Sequence, residues 1–346
     1  MATGVRNVTC RNPFIAPWLL LSVCIGGICP VGGERTSLAA EGAQTTSFYG
    51  YDDCIVLSNA TTQAILCPAA GGRILSYALH GHNILYLPAG DEGWVWDGVS
   101  GGGAPMNAGR CDIGPEQIVA KRPVLWQGRW SGQITGDRTA VLTSQRDPST
   151  GVQLKRTFQL DADSSKLEFT QTITNVGQTP IDTCHWSRTF VQGKGTCIVP
   201  ISRPSRFPQF YVRYDPPGKL INFAPNDPHV RLIDDYLLID DHPLNPKLGF
   251  DSYVGWLAYQ SPQNLLFVKK FPTYPQRPYN EVAGLTISVW YPDREMVELE
   301  PIGPAERLAV GQSASFSETW YLLERDYPGR EYVNPADVAD VVETLP

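Results

Sequence analysis

The stretch Ile181-Asp182-Thr183-Cys184-His185-Trp186-Ser187-Arg188-Thr189-Phe190-Val191 decides the fold. Side chains on a β-strand alternate between two faces. Ile181, Thr183, His185, Ser187, Thr189 and Val191 occupy the odd positions, and Cys184, Trp186 and Phe190 are among the even ones. This period of two reads as a strand. It predicts a polar face carrying His185 and an opposite face whose Trp186 and Phe190 point to the core. Strand-like runs recur at 54–57, 64–67, 74–79, 140–143, 154–160, 167–174, 253–259, 265–271, 285–291, 296–299 and 315–323. Several alternate apolar with polar residues, as half-buried antiparallel strands do. So many strands without intervening helices predict an all-β sandwich or barrel.

Composition points the same way. The 346 residues include 32 Gly and 29 Pro, which mark turns and interrupt helices. That excludes a helical bundle and a coiled coil. Charged residues make up 18%, below the roughly 25% of ordinary soluble domains. A net charge of −7 lacks the basic footprint of a nucleic-acid binder. No internal repeat or low-complexity linker divides the chain. Residues 214–245, rich in Pro, Asp and Asn, read as a long excursion of lid type. Asn334-Pro335-Ala336-Asp337 opens a short C-terminal helix, with Asn as N-cap and Pro at the first helical position.

The N-terminus reads as a leader. Arg6 and Arg11 precede an apolar run from Phe14 to Cys29, and Ser37-Leu38-Ala39-Ala40 follows. These are the parts of a secretory signal peptide. Gly26, Gly27 and Pro30 interrupt a run already short for a membrane span, which needs about 20 residues. The competing reading is a retained anchor. Residues 1–40 are therefore expected to leave by cleavage near Ala40, and the exported protein to be periplasmic or extracellular with no membrane span. Removing a leader of net charge +2 leaves −9. Five cysteines stay: Cys54, Cys67, Cys111, Cys184 and Cys197. A tight turn on Ala60-Thr61 puts Cys54 opposite Cys67, as a disulfide or as two buried thiols. With no CxxC in this part, a zinc ribbon is not expected, and no other metal or cofactor is.

Residue type and phase single out candidate chemistry. His185 shares a face with Thr183, Ser187 and Thr189, either as a solvent-facing histidine or as a proton exchanger. In 296–302, Glu298 and Glu300 fall on one face, with Val297 and Leu299 on the other. Partial burial would raise one carboxyl of such a pair toward the range of a general base; a solvated acidic edge is the alternative. Trp290 shares the polar face of its strand with Thr286 and Ser288. There it is either a platform for a sugar ring or a residue tucked under a loop. Arg73 after Gly71-Gly72, Arg110 in the turn-rich 107–116, and Lys269 in Val268-Lys269-Lys270-Phe271 are candidate donors to hydroxyls or a carboxylate.

Four stretches, in order, resemble the galactose mutarotase (aldose 1-epimerase) superfamily. Cys67-Pro68-Ala69-Ala70-Gly71-Gly72-Arg73-Ile74 resembles its P-x-x-G-G/A-R-I strand. Thr172-Ile173-Thr174-Asn175 with Pro180 and His185 resembles its T-x-x-N-x-x-x-x-P segment and histidine strand. Val297-Glu298-Leu299-Glu300 resembles the strand of its catalytic glutamate. Leu308-Ala309-Val310-Gly311-Gln312 with Glu318-Thr319-Trp320 resembles its closing turn and last strand. An exported bacterial branch is the nearest likeness. The resemblance implies a β-supersandwich over 45–330, a tail with a short helix over 331–346, and a concave sugar-binding face. It implies His185 as acid and Glu300 as base in anomeric epimerisation. It implies Arg73 and Arg110 as contacts to sugar hydroxyls; residue type and phase add Glu298, Trp290 and Lys269 as expected substrate contacts. The chain departs from the family in having only Gly109-Arg110 of a longer G-R-x-x-N-R-I stretch. The alternatives are a non-catalytic carbohydrate-binding protein on the same fold and an accessory-type protein of polysaccharide degradation.

Overall fold

The structure, a computed structural model, describes residues 40–99, 105–215, 220–293 and 295–346. Apart from Ala40, the expected leader lies outside these residues. Alternation builds the sheets directly. In Val152–Leu160 the residues Val152, Leu154, Arg156, Phe158 and Leu160 are buried, while Lys155, Thr157 and Gln159 are exposed. This strand pairs with Leu167–Asn175 from Leu167 opposite Leu160 to Asn175 opposite Val152.

Among the described residues, thirteen strands form one antiparallel sheet and ten form a second. The path of the larger sheet has Ala43–Phe48 and Tyr51–Ser58 at one edge. It continues through Thr62–Cys67, Arg73–Leu79, Gly109–Gly114, Ile181–Gln192, Met296–Pro301, Ile287–Trp290 and Lys247–Phe250. The smaller sheet centres on Trp256–Ser261, Leu265–Lys270, Ser313–Glu324 and Leu167–Asn175. The main core lies between the two sheets. Ile113, Val191, Val297 and Leu299 of the larger sheet belong to the same cluster as Phe267, Phe316, Trp320 and Ile173 of the smaller. This is the all-β two-sheet sandwich that the strand pattern predicts.

Three local expectations change. The excursion at 214–245 is no lid: its described parts are hairpins that continue both sheets. Val212–Asp215 pairs with Leu220–Asn222 on the larger sheet, and Val230–Ile233 with Tyr236–Ile239 on the smaller. Asp215, at the end of its strand, accepts from Arg213 at 2.7 Å and from Asn245 at 3.0 Å. The C-terminal helix Pro335–Thr344 is capped by Asn334, as predicted. It is a cover and not an appendage. Val338, Ala339 and Val342 pack on Ile198, Leu238, Trp256 and Val268, on the outer face of the smaller sheet. Each buried valine contributes roughly 1.5–3 kcal/mol.

The third change concerns Ile181–Gln192, which is buried on both faces from Thr183 to Ser187. Its odd positions do not face solvent: His185 and Val191 point toward the second sheet. Its even positions, with Trp186 and Arg188, point away from it. The hairpin at the sheet edge keeps the predicted register, Ile55 opposite Leu66 and Ser58 opposite Gln63. That register brings Cys54 and Cys67 together, and the two are buried free thiols, Cys54 donating to Phe48 O.

Candidate functional site

The two faces of the larger sheet carry different chemistry, and the strand phase separates them. On the inner face His185 is wholly buried, its ring stacked on Phe316 with centroids 5.7 Å apart. Neither ring nitrogen has a hydrogen-bond partner among the described residues. Burial first of all pushes its pKa down to about 4. Lys269 is also wholly buried there. Its ammonium donates to Ser187 Oγ and Thr189 Oγ1 at 2.9 Å and to Leu299 O at 3.1 Å, and pairs with Glu318 at 3.2 Å. Lys269 therefore bridges the sheets and does not reach a ligand. Of the polar odd positions, Ser187 and Thr189 meet Lys269 of the opposing sheet, whereas Thr183 donates to Gly114 O on the neighbouring strand.

On the outer face, register sets the residues side by side. Glu300 lies opposite Ser288 and Glu298 opposite Trp290. Lys247 lies opposite Trp290 on the next strand. Trp186 donates through Nε1 to Glu300 Oε2 at 2.7 Å, and Lys247 Nζ donates to both Glu300 oxygens at 2.6 and 2.7 Å. Arg188 donates through Nε to Glu298 Oε1 at 2.7 Å. Burial, then the charge of Glu298, pushes the Glu300 carboxyl up to about 8, while Lys247 and Arg188 pull it back. The paired-carboxylate expectation thus describes Glu300, and Trp290 shares its face at partial exposure.

A roof closes one side. Helix Pro123–Trp126 is a single turn. Trp126 stacks between guanidinium groups, 4.2 Å from Arg110 and 4.7 Å from Arg188 to its ring centre. Arg122 grips Asp112 with two hydrogen bonds at 2.7 and 2.6 Å. Gly71 makes the roof possible. At φ 72° it adopts a conformation that favours glycine, and a Cβ there would collide with the Trp126 carbonyl. A cleft of about 510 Å³ opens beside this roof, with Asp112, Arg122, Trp126, Gln127 and Arg188 in its walls. A second cavity of about 190 Å³, near Ile113, Val119 and Ile181, has mainly aliphatic walls. Among the described residues, no three His, Cys, Asp or Glu side chains gather as metal ligands would.

The structure thus brings together Glu298, Glu300 and Trp290, with Arg110 close by. It separates His185 and Lys269 from them by the thickness of the sheet. His185 and Glu300 do not face one another, because the side chain that meets Glu300 at this point of the strand is Trp186. Arg73 and Arg110 are structural supports. Arg73 is wholly buried and donates to Ala70 O, Asn107 Oδ1 and Tyr51 Oη. Arg110 donates to the carbonyls of Asn107, Pro105 and Trp126. Sequence reasoning missed Trp186, Arg188, Lys247, Trp126 and Gln127. The phase of Trp186 and Arg188 was visible, with Arg188 placing a charge on the supposed core face. Lys247 and Trp126 lie in Pro-containing segments without periodicity.

No protein-family model and no curated protein matches the chain. Solved structures do. A galactose mutarotase-like protein from Lactobacillus casei aligns over 78% of this chain and 100% of its own, with TM-score 0.53 and 13% identity. One from Clostridium acetobutylicum aligns over 82% and 99%, with TM-score 0.53 and 11% identity. A protein from Synechocystis sp. PCC 6803 aligns over 82% and 100%, with TM-score 0.54 and 14% identity. At such identities the likeness is one of architecture: this chain has the fold of the galactose mutarotase-like proteins.

Proposed function

We propose that the chain is an exported carbohydrate-binding protein whose ligand lies on the outer face of the larger sheet. One observation carries this reading: Trp290, only partly buried, stands in register beside Glu298 and Lys247, on the sheet face where Lys247 is fixed to Glu300 and Arg188 to Glu298. A sugar ring offers an apolar face to an indole and hydroxyls to charged partners. Export rests on the leader read in residues 1–40. Among the described residues no helix is long and apolar enough to cross a membrane.

A second reading, an aldose 1-epimerase-like isomerase, draws on Glu300. A carboxyl pushed up to about 8 is well matched to accept a proton near neutral pH. The acid partner is the weak point. His185 is on the other face. Lys247, although burial works against its charge, is held above the usual lysine range by Glu300. An ammonium so stabilised is a poor proton donor near pH 7, so binding is the leading reading. A monosaccharide and glycan binding screen on the exported protein, followed by polarimetry on each hit, tests both. Binding without faster mutarotation supports the first reading. Acceleration that Glu300→Gln abolishes supports the second, and a screen without hits refutes both.

A further inference from the structure

Cations and indoles alternate across the outer face. Arg110, Trp126, Arg188, Trp186 and Lys247 follow one another at 4.2, 4.7, 4.5 and 5.2 Å from cation to ring centre. Such stacking holds a guanidinium in one orientation and leaves its edge free to donate. Arg188 spends Nε and Nη2 on Glu298, while its Nη1 makes no hydrogen bond among the described residues. Gln127 lines the same cleft, is 6% exposed, and its Oε1 has no partner among the described residues. A free donor and an orphaned acceptor therefore stand at one cleft. A buried amide oxygen without a partner is destabilising, and a bound hydroxyl would relieve that cost.

Charge points the same way. Around the cleft and the ladder stand Arg110, Lys121, Arg122, Arg188 and Lys247, interleaved with Asp112, Glu116, Glu281, Glu298 and Glu300. Arg73 and Arg110 end on neutral oxygens. Burial, followed by repulsion from Arg73, Arg188 and Arg156, pushes Arg110 well below the usual arginine range. Arg110 thus has no carboxylate bonded to it, while five carboxylates stand around the cleft and the ladder, so one negative charge suits the site better than two.

We propose that the cleft takes a saccharide bearing a carboxylate, a uronate, with the carboxylate on Arg188 and a neighbouring hydroxyl donating to Gln127. This rests on the carbohydrate-binding reading and names its ligand class. Charge-assisted hydrogen bonds are roughly twice as strong as neutral ones, and surface charge effects weaken with salt.

The test is calorimetric titration of the protein without its leader, using three probes. They are a uronate disaccharide, the same disaccharide with its carboxyls methyl-esterified, and a hexose phosphate. The acid should bind at least about tenfold more tightly than the ester, and the advantage should shrink as salt is raised. Arg188→Lys keeps Glu298 paired but loses the fork. It should weaken acid binding far more than ester binding, removing most of the acid-over-ester preference; equal weakening of both would mark a structural effect and overturn the assignment of Arg188. An ester bound as tightly as the acid overturns the uronate proposal and leaves the carbohydrate reading intact. A hexose phosphate bound more tightly than the uronate also overturns it. If no saccharide binds, the carbohydrate reading falls, and the uronate proposal with it.

Discussion

The inner and outer faces of the larger sheet are both polar at their centre, yet they do opposite work. On the inner face Lys269 and Glu318 are wholly buried and paired, and His185 stacks on Phe316. On the outer face Lys247 and Arg188 keep 16% and 12% of their side chains exposed while their carboxylate partners are buried. Lys269, carried by the smaller sheet, spends its donors on Ser187, Thr189 and Leu299 of the larger sheet. The outer groups retain a free edge and a cleft. A polar strand face thus signals a site only when it is not also the contact between two layers.

The largest test of this contrast is a pair of lysine truncations. Lys269→Met leaves Glu318 buried without its cation and should cost about 3–5 kcal/mol in denaturant unfolding. Lys247→Met should cost less, about 1–3 kcal/mol. Glu300, already pushed up to about 8, takes a proton instead of remaining an unpaired charge. Equal costs would mean that the two faces are buried alike.

Acid should act through the inner face. His185 has a folded pKa of about 4, below the 6.5 of an exposed histidine, so folding favours its neutral form. Its contribution is fully present above about pH 6.5 and is lost as pH falls toward 4. No carboxylate is among the groups that shift it: burial lowers it, the backbone of Gln171 and Ala314 offsets that in part, and Arg277 adds a minor repulsion. The loss amounts to about 3 kcal/mol. His185→Phe keeps the stacking and removes the titration. Its stability relative to the parent should therefore rise by about 3 kcal/mol between pH 7 and pH 4. A difference independent of pH would place a partner on the ring.

The roof gives a smaller effect. Gly71→Ala forces a side chain into a left-handed conformation and against the Trp126 carbonyl. It should cost about 1–3 kcal/mol and weaken ligand binding, because Trp126 holds Arg188. Wild-type thermal stability and affinity in this variant would show that the roof does not depend on the close approach.

The sequence makes the sheets readable because period-two runs recur, and because the phase of Glu298, Glu300 and Trp290 agrees on neighbouring strands. It misplaces His185 for a physical reason. Trp186 and Phe190 are large and apolar, and a half-buried strand sends such residues inward. This strand is covered on both sides, so hydropathy no longer distinguishes inside from outside. Only the register to Ile113, which belongs to the inter-sheet core, settles its phase. Lys269 is similar: alternation puts one lysine on each face of its strand, but only the packed sheets say which face is covered. Lys247 and Trp126 carry no periodic signal.

The central claim is that a ligand meets the outer face and not the face of His185. Side-by-side binding titrations of Trp290→Ala and His185→Phe with one saccharide ligand test it most directly. The account predicts at least a tenfold loss for Trp290→Ala, about 1.4 kcal/mol, and an unchanged affinity for His185→Phe. Loss of binding in a folded His185→Phe protein, with Trp290→Ala binding normally, would contradict it.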